Sequence, residues 1–142
     1  MRFWDASAVV PMVVDEPSSA AIDALVDEDS ELLVWWGTPV EVVSALARRE
    51  REGSLTALET TRAVAALGEL SESWEEIVPS ERIRRVATRL LRQHRLRAAD
   101  GLQLAAALVA ADDQPASLEI VSLDARLNDV ARHEGFRVIE PG

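Results

Sequence analysis

The sequence predicts an α/β layer fold with a mostly parallel central sheet. Three observations carry this. Short apolar runs that suit buried strands alternate with segments of helical periodicity. One run, "LLVWW" (32–36), is apolar without a break, as strands covered on both faces are. The segment "AADGLQLAAALVAA" (98–111) is apolar nearly throughout, so the helix it predicts must be buried.

The elements follow in order. Residues 2–5 predict a short buried strand. Ser7 is placed to cap a short helix to about Val14, and Pro17 suits the first turn of the next. That helix, about 18–28, sets Ala21, Ile22, Leu25 and Val26 on one face. After "LLVWW", Gly37 ends the strand. Thr38 as cap and Pro39 at the first position then open a helix that keeps its spacing through Val42, Val43, Leu46 and Ala47 until Gly53. Ser54 to Ser71 predict another helix and "WEEIV" (74–78) a third strand. Pro79-Ser80 opens a helix carrying Ile83, Val86, Ala87, Leu90 and Leu91, and a break follows His94. Beyond the apolar helix, "DDQPAS" (112–117) is a loop. A strand "LEIVSL" (118–123), a helix "LNDVARHEG" (127–135) and a last strand "RVIE" (137–140) complete the chain.

Composition narrows the function. With 142 residues, 48% hydrophobic and 28% charged, the chain suits one globular domain, residues 1–142. No repeat, linker or low-complexity segment divides it. No apolar run reaches the roughly 20 residues that span a bilayer, and the start of the chain does not read as a secretory signal, so a cytoplasmic location is expected. There is no cysteine, which excludes disulfides and thiolate metal sites. All 15 basic residues are arginine. Without lysine there is no P-loop and no Schiff-base chemistry. The net charge of -10 argues against nucleic-acid binding over the whole surface.

Asp5 stands inside the apolar opening "MRFWDASAVV". A buried, unpaired carboxylate costs several kcal/mol, so it needs a partner. Ligands of parallel sheets bind beyond the strands' carboxyl ends, and three more carboxylates fall there. Asp124 follows the fourth strand, Glu41 lies in the first turn after "LVWWGTP", and Asp100 lies in the first turn of "AADGLQL". Each has a plainer reading. Glu41 and Asp100 could be dipole contacts, Asp124 a cap, and Asp5 a turn or cap residue. Together, four like charges on one rim raise each other's pKa, and a divalent cation resolves the conflict. Hard oxygen donors without cysteine select Mg²⁺ or Mn²⁺ over Zn²⁺.

The ordered motifs "FWDASAVV", "GTPVEVVSAL", "LRAADGLQLAAAL" and "IVSLDARLNDVARHEGF" resemble the PIN-domain family, and most of all the VapC-type toxins of bacterial toxin–antitoxin pairs. The likeness runs from Arg2 to about Ile139. It implies a three-layer α/β/α sandwich with a mostly parallel sheet. It implies an acidic site of Asp5, Glu41, Asp100 and Asp124 that binds Mg²⁺ or Mn²⁺. It also implies metal-dependent endoribonuclease activity on RNA, inhibition by an antitoxin protein, and a homodimer. Ser7, Thr38 and Ser122 match positions with small hydroxyls beside the carboxylates. The chain departs from the family at Gln103, where histidine is frequent, and at Trp4, which is bulkier than the usual aliphatic. Trp35-Trp36 reads as core or dimer packing rather than a stacking platform. His94 and His133 match no acidic motif and read as surface residues.

RNA needs cations. Seven arginines and no acid lie between Arg82 and Arg97, and Arg82, Arg85, Arg89 and Arg92 form one helical stripe leading toward Asp100. The plainer reading is a solvated face with acidic partners. Among rivals, "DASAVV" vaguely resembles the first motif of haloacid-dehalogenase-like phosphatases, but Ser7 stands where they need a second Asp, and lysine is missing. A phospho-accepting receiver domain fails on the same lysine. The non-enzymatic alternative is a catalytically inactive PIN-like domain that binds protein or RNA.

Overall fold

The computed structural model covers residues 1–142. Its elements run β1 (Arg2–Trp4), α1 (Ala6–Val13), α2 (Ser19–Glu28), β2 (Leu32–Trp35), α3 (Thr38–Arg51), α4 (Ala57–Ser71), β3 (Glu75–Ile77), α5 (Glu81–Gln93), α6 (Ala98–Ala110), β4 (Glu119–Val121), α7 (Ala125–His133) and β5 (Arg137–Ile139). One 3-10 turn, Pro115–Ser117, leads into β4. The strands form one sheet in the order β3-β2-β1-β4-β5, and every pairing is parallel. No helix is long and apolar enough to cross a membrane.

Strand alternation builds the layers. Successive side chains of a strand point to opposite faces. Phe3, Leu33, Trp35 and Ile120 enter one buried cluster with Leu90 of α5, Leu104 of α6 and Val130 of α7. Their neighbours Trp4, Leu32, Val34 and Val121 enter a second, with Val9 of α1, Ile22 of α2, Leu46 of α3 and Leu67 of α4. Helices therefore cover both faces, giving the three-layer sandwich. Each fully buried Leu, Ile or Val contributes about 1.5–3 kcal/mol. β3 is an edge, and Glu75 and Glu76 keep it exposed and charged, which deters pairing with other chains.

Element ends differ from the sequence expectation in instructive ways. Asp5, not Ser7, caps α1. Gly37 occupies the cap of α3, so Thr38 is a helical residue and Pro39 the second. α4 starts at Ala57 behind a capping box of Thr56 and Glu59, rather than at Ser54. α2 begins after Pro17, and α7 begins at Ala125, capped by Asp124. β2 stops at Trp35. Trp35 is buried, whereas Trp36 is 56% exposed and meets it edge-on at 6.4 Å, so the pair divides between core and surface.

Candidate acidic site

The strand order reverses between β1 and β4, and their carboxyl ends open onto that point. Asp5 follows β1 and Asp124 follows β4 by three residues. Glu41 comes from the first turn of α3 and Asp100 from the first turn of α6. All four line one open cavity of about 700 Å³.

Asp5 is 4% exposed. Its N–H donates to Val121 O at 3.0 Å, which joins the rims of β1 and β4. Its Oδ2 accepts from the Ser7 N–H at 3.1 Å and the Ser7 hydroxyl at 2.5 Å. The Ser122 hydroxyl reaches the same oxygen at 3.4 Å and lies 3.3 Å from Ser7 Oγ. Those hydroxyls also accept from the loop after β4: Leu123 N–H bonds Ser7 at 2.9 Å and Asp124 N–H bonds Ser122 at 3.1 Å. Ser7 and Ser122 thus fix the distance between the two aspartate-bearing segments. Burial pushes the Asp5 carboxyl up from 3.8 to about 6; the Ser7 bonds oppose this, while Asp100 and Asp124 add to it.

Glu41 is half-buried, and burial pushes it up to about 7. A hydrogen bond from Gln103 pulls the other way, and the charges of Asp5 and Asp100 push it further up. Gln103 has no exposed surface. Its Nε2 donates to Thr38 Oγ1 at 3.0 Å and Glu41 Oε2 at 2.6 Å, while its Oε1 has no partner. Thr38, displaced from the cap, is therefore buried as an anchor for this amide. One amide ties α6 to α3 beside the acid. A single polar residue inside the apolar run of α6 is the sequence signal for such a role.

Asp100 is raised by burial first and by Asp124 second, against the lowering effect of Arg97 and Arg126. Asp124 Oδ1 caps α7, accepting from Arg126 N–H at 3.0 Å and Leu127 N–H at 3.1 Å. The capping readings of Asp5 and Asp124 and their place at the cavity are thus both true. Each caps through one oxygen only.

The arginines at the cavity are not those of the helical stripe on α5. The cavity is lined by Arg48, Arg49, Arg97 and Arg126, and Arg49 is ion-paired with Glu16. None of Arg82, Arg85, Arg89 and Arg92 lines it. Arg82 bonds Asp113 at 2.6 Å and Asp112 at 3.3 Å, and Arg89 bonds Glu134 at 2.9 Å. The arginines of α3 and α7 reach the cavity through tertiary packing, which helical spacing does not reveal. The histidines lie away from the cavity. His94 is half-buried rather than on the surface, with Nε2 3.0 Å from Glu134, and His133 stacks edge-on against it.

As they stand, no three carboxylates or imidazoles converge enough to hold one ion. Like charges hold apart, and Asp124 and Glu41 are anchored to protein donors. The donor set still fits a hard divalent cation. It is all oxygen, and each of the four carboxylates keeps an oxygen that no protein donor occupies.

Comparison with known proteins shows the family. A family model described as PIN domain matches residues 2–133. The chain is 33% identical over 144 residues to "Ribonuclease VapC45" of Mycobacterium tuberculosis (strain CDC 1551 / Oshkosh), with 96% of this chain and 92% of that protein covered. The same values hold for "Ribonuclease VapC49" of M. tuberculosis (strain ATCC 25618 / H37Rv). Among solved structures, FitAcB from Neisseria gonorrhoeae superposes with a TM-score of 0.68 at 16% identity, covering 99% of this chain and 98% of that one. A toxin-antitoxin complex from Klebsiella pneumoniae gives a TM-score of 0.63 at 14% identity, covering 100% and 98%. At these identities the structures speak for the fold alone.

Proposed function

The chain belongs to the PIN domain family, and from that premise we propose that it is a metal-dependent endoribonuclease, the toxin of a toxin–antitoxin pair. The observation that carries the proposal is the meeting of four carboxylates from four separate elements in one cavity at the sheet's switch point. The VapC names of its 33%-identical relatives support the same reading. Asp5, Glu41, Asp100 and Asp124 would hold Mg²⁺ or Mn²⁺. When bound, the ion supplies an activated water and neutralises charge on the phosphodiester and the leaving oxygen.

The chain's own residues do the rest. Burial of Asp5 and Glu41 strips hydration from their charged forms and raises their pKa values, neighbouring carboxylates raise them further, and a cation would relieve both. Ser7 and Ser122 hold Asp5 in place, and Gln103 with Thr38 holds Glu41. Arg48, Arg97 and Arg126 offer charge-assisted donors to the RNA phosphates flanking the cleaved bond. This basic wall lets a chain of net charge -10 accept RNA locally. The chain's net negative charge suits a basic segment of an antitoxin protein. Pairing as a cytoplasmic homodimer completes the proposal, and exposed Trp36, Val40 and Val78 are side chains that such an assembly could cover.

The test is cleavage of a fluorescent single-stranded RNA by purified wild type and Asp5→Asn, in EDTA and with Mg²⁺ or Mn²⁺. Cleavage only by wild type with metal is expected. Equal behaviour of the two proteins under all conditions would refute the nuclease reading.

A further inference from the structure

A second groove, of about 490 Å³, runs along the outer face of α5. It is lined by Arg85, Thr88, Arg89, Arg92 and Gln93, with no apolar side chain among them. Arg89 is braced at its centre: Nη1 donates to Gln93 Oε1 and Nη2 to Glu134 Oε1, both at 2.9 Å. Arg85 and Arg92 flank it and are exposed without an ion-pair partner in the chain.

The direction of the groove follows from how α5 packs. Arg82, at the start of α5, reaches Asp112 and Asp113 just past the end of α6. Near the other end of α5, Leu91 packs so closely on Gly101 that an added Cβ there would lie 2.9 Å from Leu91 Cδ2. The two helices are therefore antiparallel. The C-terminal end of α5 thus lies beside the first turn of α6, which carries Asp100. Arg95 and Arg97 continue the basic run, and Arg97 lines the acidic cavity itself.

We propose that this groove is a docking track for the phosphates of single-stranded RNA leading to the acidic cavity. The inference rests on the ribonuclease reading above. The polar lining favours RNA over a protein partner, because protein interfaces anchor on buried apolar and aromatic side chains and this groove offers none. Without an aromatic ring for stacking or a donor set aimed at a base edge, the track adds affinity rather than sequence preference. Arg85 and Arg92 are seven residues apart, about 10 Å of helix rise.

The experiment compares Arg85→Ala/Arg92→Ala with wild type, and with Arg62→Ala/Arg137→Ala, an equal change of charge on other exposed arginines. Binding of a fluorescent 12-mer RNA is measured by anisotropy in the Asp5→Asn background as salt is varied. Cleavage of the 12-mer and of a 3-mer is measured in the active background. Loss of two phosphate contacts on single-stranded RNA should flatten the log–log salt slope by about 1.4. The preference for the 12-mer over the 3-mer should fall severalfold. The Arg62/Arg137 variant should keep the wild-type slope, and Arg85→Lys/Arg92→Lys should restore most of it. A wild-type slope and length preference in the Arg85/Arg92 variant would overturn the track while leaving the nuclease reading intact. A groove serving a protein partner would give that same result. A wild-type protein that neither binds nor cleaves RNA would overturn both readings.

Discussion

Replacing Asp5 by Asn should stabilise the metal-free protein at neutral pH. The carboxyl is 4% exposed, and burial raises it from 3.8 to about 6. At 1.36 kcal/mol per pKa unit, that difference is worth about 3 kcal/mol. Because the folded-state value is raised, folding favours the protonated form. The associated stability is fully present below pH 3.8 and is lost as pH rises through about 6. Above pH 7, metal-free wild type bears the whole penalty. Asn keeps an oxygen to cap α1 and accept from Ser7 but carries no charge. Its weaker acceptor returns part of the gain, leaving about 1–3 kcal/mol. For a chain of this size that is a rise in Tm of about 3–12 °C. The assay is a thermal melt of both proteins in EDTA at intervals from pH 4 to 8. The gap should be near zero at pH 4, open between pH 4 and 6, and level off above 7. A lower Tm for Asp5→Asn at pH 8, or a gap that ignores pH, refutes the claim that Asp5 is an electrostatically strained acid.

Other outcomes follow from the same geometry. Mn²⁺ at about 100 times its Kd should stabilise wild type by about 2.7 kcal/mol, and the Asp5→Asn melt should shift far less; equal shifts would place the ion elsewhere. Gln103→Leu removes the donor that lowers Glu41, so the Glu41 carboxyl should rise above about 7. Its pH–rate profile at subsaturating Mn²⁺ should move to higher pH, and an unmoved profile would deny Gln103 a positioning role. Arg97→Ala should reduce kcat/KM on RNA by about tenfold, ~1.4 kcal/mol, with folding preserved by circular dichroism; unimpaired cleavage would remove Arg97 from the phosphate wall. Trp36→Glu should abolish the proposed homodimer in light scattering while leaving the fold intact by circular dichroism, since the side chain is 56% exposed; an unchanged mass would remove Trp36 from the interface.

Much of the fold was legible because parallel strands buried on both faces leave continuous apolar runs, as "LLVWW" does. The four carboxylates were legible for a related reason. An acid at the end of an apolar strand or the start of an apolar helix has few places to go but a strand-end rim. Caps were less legible, because a cap depends on the single residue at which a strand releases the chain. β1 ends at Trp4, so Asp5 takes the cap that Ser7 could have filled one register later. Partners across the core were least legible. Gln103 finds Thr38 across 65 positions, and Arg48 and Arg126 reach the cavity from segments far apart in the sequence. The stripe on α5 has the helical spacing read from the sequence, but the antiparallel packing of α5 on α6 decides that only the C-terminal end of α5 lies near the first turn of α6.

The central place of β1 has a consequence for synthesis. Phe3 pairs with Leu33 early in the chain and with Ile120 late in it. During translation the first pairing becomes available long before the second. At about 5–20 residues per second, roughly 6–24 s separate the addition of Asp5 from that of Asp124. For nearly all of that interval a ribosome-bound chain lacks β4 and the Ser122 clasp, and throughout it the fourth carboxylate. A growing chain with the proposed activity would therefore lack a complete acidic site until Asp124 is added.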